Sequence, residues 1–129
     1  MDATILVIEE SLDLCRLFEY MLRADGHTVL SFHNWQSAQP ALITRPPDLI
    51  IFDWSSANMA GYSWAESVRR APATAHIPIL FVCGEPPARA TSEMIASAGI
   101  ALIEKPFDIF IFRNRVAALL GTRERTAGA

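Results

Sequence analysis

Three short stretches of the chain, Thr4 to Ile8, Asp48 to Phe52 and Ile79 to Cys83, are apolar almost throughout and do not alternate with polar residues. A strand with one wet face alternates with period two, so a run that does not alternate must be covered on both faces. Parallel sheets flanked by helices meet that condition, and the intervening segments carry helical spacing. Strand-like and helix-like segments alternate five times. They predict one α/β domain with helices on both faces of a parallel sheet, and 129 residues suffice to bury its core.

Local chemistry sets the boundaries. After Glu10, the stripe Leu14, Leu17, Phe18, Met21 and Leu22 has helical spacing, and Asp25-Gly26 supplies its stop. Thr28 to Phe32 reads as the second strand. A weak helix is expected over 35–43, because Pro40 removes a backbone donor inside it. Arg45-Pro46-Pro47 forces an extended approach to the third strand. Gly61 precedes a third helix over about 62–70, with Tyr62, Ala65 and Val68 on one face. Pro78 opens the fourth strand, a stiff loop at 84–87 follows, and a short helix runs to about Ala98. After a fifth strand at 101–104, Asp108 caps a last helix with Ile109, Phe112, Val116, Leu119 and Leu120 inward. Gly121 ends it. The domain is expected over 1–121, with 122–129 a polar tail or the start of a linker.

Charged residues gather where the strands end. The first run stops at Glu9-Glu10 and the third strand at Asp53, while Lys105, the sole lysine of the chain, follows the fifth. In open parallel sheets, ligands bind in the crevice beyond the carboxyl ends of the strands. Three carboxylates and one ammonium would converge there, in outline a site for a divalent metal and a phosphoryl group. Lysine reaches a single phosphate or carboxylate oxygen, where arginine would present a planar fork. Packed carboxylates repel and need a cation or a proton to coexist. Magnesium is the natural cation, since it takes oxygen ligands and keeps several waters beside one or two carboxylates.

The bulk composition excludes other classes. A net charge of −3 gives no basic field for direct binding to nucleic acid. No apolar stretch approaches the roughly 18 residues of a membrane span, and the first residues lack the pattern of a secretory signal. Cys15 and Cys83 are too few for a disulfide framework, which points to a reduced, cytoplasmic setting.

These motifs, in this order, resemble the receiver domain of two-component response regulators over about residues 4–120. Ile5 to Glu10 looks like the family's first strand with its acidic pair. Asp48 to Asp53 looks like the third strand with its phosphoacceptor, and Asn58 to Gly61 stands where the family loop closes before the third helix. Ile77 to Val82 resembles the fourth strand and Lys105-Pro106-Phe107 the junction after the fifth. The resemblance implies a doubly wound, flavodoxin-like sheet of five parallel strands in the order 2-1-3-4-5, with five helices. It implies Mg2+ held by Glu9, Glu10, Asp53 and the backbone carbonyl of Ser55. Asp53 would accept a phosphoryl group from a histidine kinase or phosphotransfer protein, with Lys105 and Cys83 contacting that group. Such a domain is a signalling phosphoprotein rather than an enzyme.

Three positions depart from the family pattern. Glu9-Glu10 replaces a pair that usually contains Asp, and each extra methylene adds roughly 1.5 Å of reach. Cys83 stands where the family has Thr or Ser, and a thiol is a weak donor. Leu102 occupies the place of a switching Tyr or Phe. The phosphorylation residues are present and the readout residues altered, which leaves open a second class: a pseudo-receiver that binds partners without phosphate.

Other features read more plainly. Trp54 and Trp64 suit core packing, and His27, His33 and His76 lack metal-ligand spacing and read as surface residues. A flavin site would need the turn after the first strand to cradle phosphate, which Glu9-Glu10-Ser11 would repel. Phe110 and Ile111 fall off the inward stripe of the last helix, which suggests an interaction patch. In receiver domains the face of the fourth helix, fifth strand and fifth helix is the usual surface for a homodimer or target.

Overall fold

Each apolar run becomes a strand, and each amphipathic segment between them becomes a helix laid on the sheet. The computed structural model describes residues 2–128, with side chains through residue 121. The order is β1 (Thr4–Ile8), α1 (Leu12–Ala24), β2 (Thr28–Phe32), α2 (Trp35–Thr44), β3 (Leu49–Asp53), α3 (Met59–Arg70), β4 (Ile79–Cys83), α4 (Arg89–Ser97), β5 (Ala101–Glu104) and α5 (Ile109–Gly128). All strand pairs are parallel, in the order β2-β1-β3-β4-β5.

The absence of alternation has its expected cause. Leu6, Ile8, Ile50, Phe52, Ile79 and Phe81 pack under one helical layer with Ala38, Leu42, Ala65, Val68 and Ile95. Their neighbours Ile5, Val7, Leu49, Ile51, Leu80 and Val82 pack under the other with Phe18, Leu22, Phe112 and Val116. Burying one such side chain contributes about 1.5–3 kcal/mol, so both layers hold the sheet. Trp54 and Trp64 are core, as their sequence setting suggests. Trp54 is 1% exposed and stacks on Phe81 at 4.9 Å between ring centres, and Trp64 is 6% exposed.

The register decides what meets at the strand ends. Ile8 lies opposite both Phe32 and Phe52, so the residues that follow them, His33, Glu9 and Asp53, emerge side by side. Asp53 lies opposite Val82 and Cys83 opposite Glu104.

Several helical details differ from expectation. Leu17 is half exposed, and Cys15 takes its place on the buried face of α1. Ile109 is 46% exposed, because inward packing in α5 starts only at Phe112. Gly61 lies inside α3: Asn58 caps the helix, its side chain accepting from the Gly61 amide at 2.9 Å. A capping side chain outweighs the modest cost of one glycine in the first turn. Gly121 likewise does not end α5, which runs to Gly128. Pro40 sits within α2, where the Asn34 cap and the burial of Ala38 and Leu42 keep the helix despite the lost donor.

Candidate functional site

The strand ends open on a crevice of about 830 Å3. It is lined by Glu9, Glu10, His33, Asn34, Trp35 and Gln36 on one side and by Asp53, Ser55, Ala57 and Asn58 on the other. Cys83 and Lys105 lie beyond this lining, toward β4 and β5.

The Lys105 ammonium forms an ion pair with Asp53 Oδ2, joining residues 52 positions apart. The backbone amide of Lys105 donates to the Cys83 carbonyl at 2.7 Å, which fixes the lysine's base on the end of β4. The loop after Asp53 is held as firmly. The Trp54 amide donates to the Val82 carbonyl at 2.9 Å, and the Trp54 indole N–H donates to the Asn58 carbonyl at 2.6 Å. Ser55 is thereby kept at the crevice wall.

Glu9 is 5% exposed. Its Oε1 accepts from the Ser11 amide at 2.8 Å, and its buried Oε2 meets no donor. Burial, and then hydrogen bonding with Asp53, push the Glu9 carboxyl up to about 7; the Ser11 amide and the Lys105 charge pull the other way. A buried and a half-buried carboxyl thus share this corner with one ammonium. Glu10 is exposed and stays at the rim, because consecutive side chains at a strand end point to opposite sides. Among the described residues, no three His, Cys, Asp or Glu side chains stand close enough together to hold a metal ion. The expected three-carboxylate cluster is therefore a pair with an outlier. That set fits Mg2+, which works from one or two carboxylates, a carbonyl and its own waters. The unpartnered Glu9 oxygen is the kind of buried acceptor that needs a cation or a proton.

A pH effect follows. Unfolded, Glu9 titrates near its ordinary 4.5; folded, near 7. The group favours the folded state while protonated, fully below pH 4.5, and that contribution disappears as pH rises through 7. Without divalent ions, stability measured by denaturant should fall on the order of 2 kcal/mol more between pH 5 and 8 in the native chain than in Glu9→Gln. An equal fall in both would remove Glu9 as the cause.

Cys83 is 1% exposed, and its thiol is pushed up to about 11, first by burial and then by the Asp53 charge. It stays a neutral thiol. Leu102 is half-buried opposite Phe81 and packs on the core. His33, read from sequence as a plain surface residue, stands on the crevice wall with Nδ1 3.1 Å from the Glu9 carbonyl. Its place directly after a strand was the available signal.

Comparison with protein families matches residues 5–117 to the response regulator receiver domain. The chain is 28% identical over 116 residues to the phosphate regulon transcriptional regulatory protein PhoB of Rhizobium meliloti, covering 90% of this chain and 51% of that protein. It is 27% identical over 123 residues to PhoB of Pseudomonas aeruginosa, covering 95% and 52%. The chain thus spans about half the length of these curated relatives. Among solved structures, the signal receiver domain of a LuxO repressor protein from Vibrio parahaemolyticus superposes with a TM-score of 0.85 at 16% identity, covering 98% of this chain and 96% of that one. With a match across almost its whole length, the same sheet order and its acidic pair and lysine at the strand ends, the chain belongs to the response regulator receiver domains of two-component systems.

Proposed function

We propose that the chain accepts a phosphoryl group on Asp53 from a histidine kinase or phosphotransfer protein in the cytoplasm, with Mg2+ present, and that its conformational response is muted. The observation carrying this reading is the ion pair of the only lysine with Asp53, beside the unpartnered Glu9 oxygen. Glu9, Asp53 and the Ser55 carbonyl would hold the ion, with Glu10 reaching it through one of its waters. When bound, it supplies positive charge opposite the phosphoryl oxygens.

A carboxylate oxygen of Asp53 bonds to phosphorus as the donor's P–N bond breaks, and the departing imidazole keeps the electron pair and takes up a proton. Lys105, already beside Asp53, neutralises charge on the transferring group. Cys83 contributes little, since a neutral, weakly donating thiol replaces a hydroxyl. Leu102 offers no aromatic ring to rotate inward.

Intact mass tests the reading. Incubation with a small phosphodonor and Mg2+ should add one phosphoryl group, and Asp53→Asn should abolish the gain. Amide exchange should then change little on phosphorylation, and more in Cys83→Thr with Leu102→Tyr. Full switching in the native chain would refute the muted response. No mass gain at any Mg2+ concentration would favour the phosphate-independent interaction module.

A second copy of the chain is the partner we assign to the start of α5, where Phe110 is 66% and Ile111 55% exposed. Adjacent large apolar groups at that exposure mark an association surface. Phe110→Glu with Ile111→Lys should weaken self-association in sedimentation at unchanged thermal stability. A native chain that stays monomeric at high concentration would remove the assignment.

A further inference from the structure

Glu9 lies one residue past the end of β1, where the paired residues of the ladder have run out. Its backbone is nevertheless fully satisfied, and by consecutive residues of one neighbour. The Glu9 amide donates to the Phe32 carbonyl at 2.9 Å, and the Glu9 carbonyl lies 3.1 Å from His33 Nδ1. A carbonyl only accepts, so as a hydrogen bond this contact requires a proton on Nδ1. The imidazole therefore extends the β1–β2 ladder by one rung, using a side chain in place of a peptide. The Ser11 amide then fixes the carboxylate by its Oε1, leaving the buried Oε2 directed at the crevice beside Asp53.

We propose that His33 is a positioning residue for the acidic site: by holding the Glu9 carbonyl, it sets the orientation in which Glu9 presents its free oxygen to a divalent cation. The inference deepens the Mg2+ reading above and rests on it. The Phe32 carbonyl serves only the amide side of Glu9 and does not replace the contact. Without the imidazole, the peptide between Glu9 and Glu10 can rotate toward solvent, and the Ser11 amide that holds the carboxylate by Oε1 shifts with it. His33 is itself exposed, so its loss should leave the core intact. A partner that orients a metal-binding residue typically accounts for 10–100-fold in metal affinity, and this one, acting through a carbonyl, belongs near 10-fold.

The test is Mg2+ calorimetry on the native chain, His33→Leu and His33→Asn, with thermal midpoints measured alongside. Asparagine places its amide nitrogen on Cγ, as histidine does Nδ1, and can donate to the same carbonyl. His33→Leu should bind Mg2+ roughly 10-fold more weakly at an unchanged midpoint, and His33→Asn should recover most of the loss. Ring-nitrogen NMR of the metal-free chain should show His33 in its Nδ1–H form. Equal binding by His33→Leu and the native chain would overturn the inference while leaving the Mg2+ site intact. So would equally weak binding by Leu and Asn, because the carbonyl contact would then not matter. A native chain that binds no Mg2+ would overturn the metal reading itself, and the inference with it.

Discussion

Replacing Lys105 with alanine should slow phosphoryl transfer to Asp53 by about 100- to 1,000-fold, the usual cost of removing one preorganised charge from a transition state. The chain offers no substitute. Its other cations among the described residues pair elsewhere or stand away from the crevice: Arg23 with Glu19, Arg70 with Glu66, Arg89 with Glu93 and Arg113 with Asp25. Cys83, next along the sheet, is a buried neutral thiol. Removing the ammonium also removes a charge that holds the Glu9 carboxyl down, so more of Glu9 would be protonated at neutral pH and less free to meet a cation. The fold should tolerate the change. The Lys105 and Asp53 side chains are 27% and 16% exposed, and a partly solvated pair contributes about 1 kcal/mol or less. Lys105→Arg should fall between, because a planar fork cannot aim one donor from the same stem. The check is a mass-resolved time course with a small phosphodonor. A Lys105→Ala chain that phosphorylates at the native rate would place the transition-state charge elsewhere.

How much of this was legible in the sequence depended on whether residues are governed by local pattern or by register. Buried strands leave a blunt signature, and all five fall where their apolar runs stand. Asp53 and Lys105 were legible because each follows such a run directly. Leu17 and Ile109 misled because helical spacing admits more than one face, and only packing against Phe18 and Phe112 selects it. Gly61 and Gly121 read as boundaries, yet a glycine marks a stop only where the chain needs positive φ, as at Gly26 and Gly99. Glu10 stood beside Glu9 in the expected ligand set because the sequence does not say which of two successive side chains turns inward. His33 was missed for the complementary reason. Its contact with the Glu9 carbonyl exists only because Ile8 pairs with Phe32, a register set by the fold.

Two glycines should respond to alanine with opposite signs. At Gly61 an added Cβ would lie 2.6 Å from Asn58 Nδ2 and 2.8 Å from Phe52 Cζ. Neither neighbour yields cheaply. The Asn58 amide group caps α3, and losing such a cap costs about 1 kcal/mol. Phe52 is 2% exposed and wedged against Trp64 and Phe81, where overpacking costs typically 1–3 kcal/mol. Gly61→Ala should therefore destabilise the chain by about 2–4 kcal/mol, and it should also weaken Mg2+ binding. Asn58 receives the Trp54 indole and ends the loop that carries the Ser55 carbonyl, so a displaced cap moves a proposed ligand. At Gly121 the added Cβ meets nothing within 4 Å, and the residue lies inside α5 with φ outside the positive range. There alanine gains helix propensity without a clash, and Gly121→Ala should stabilise by up to about 1 kcal/mol. Denaturant midpoints of the two variants decide both statements. A neutral Gly61→Ala would mean that the Asn58 cap is dispensable, and a destabilising Gly121→Ala would mean that α5 stops where the glycine first suggested.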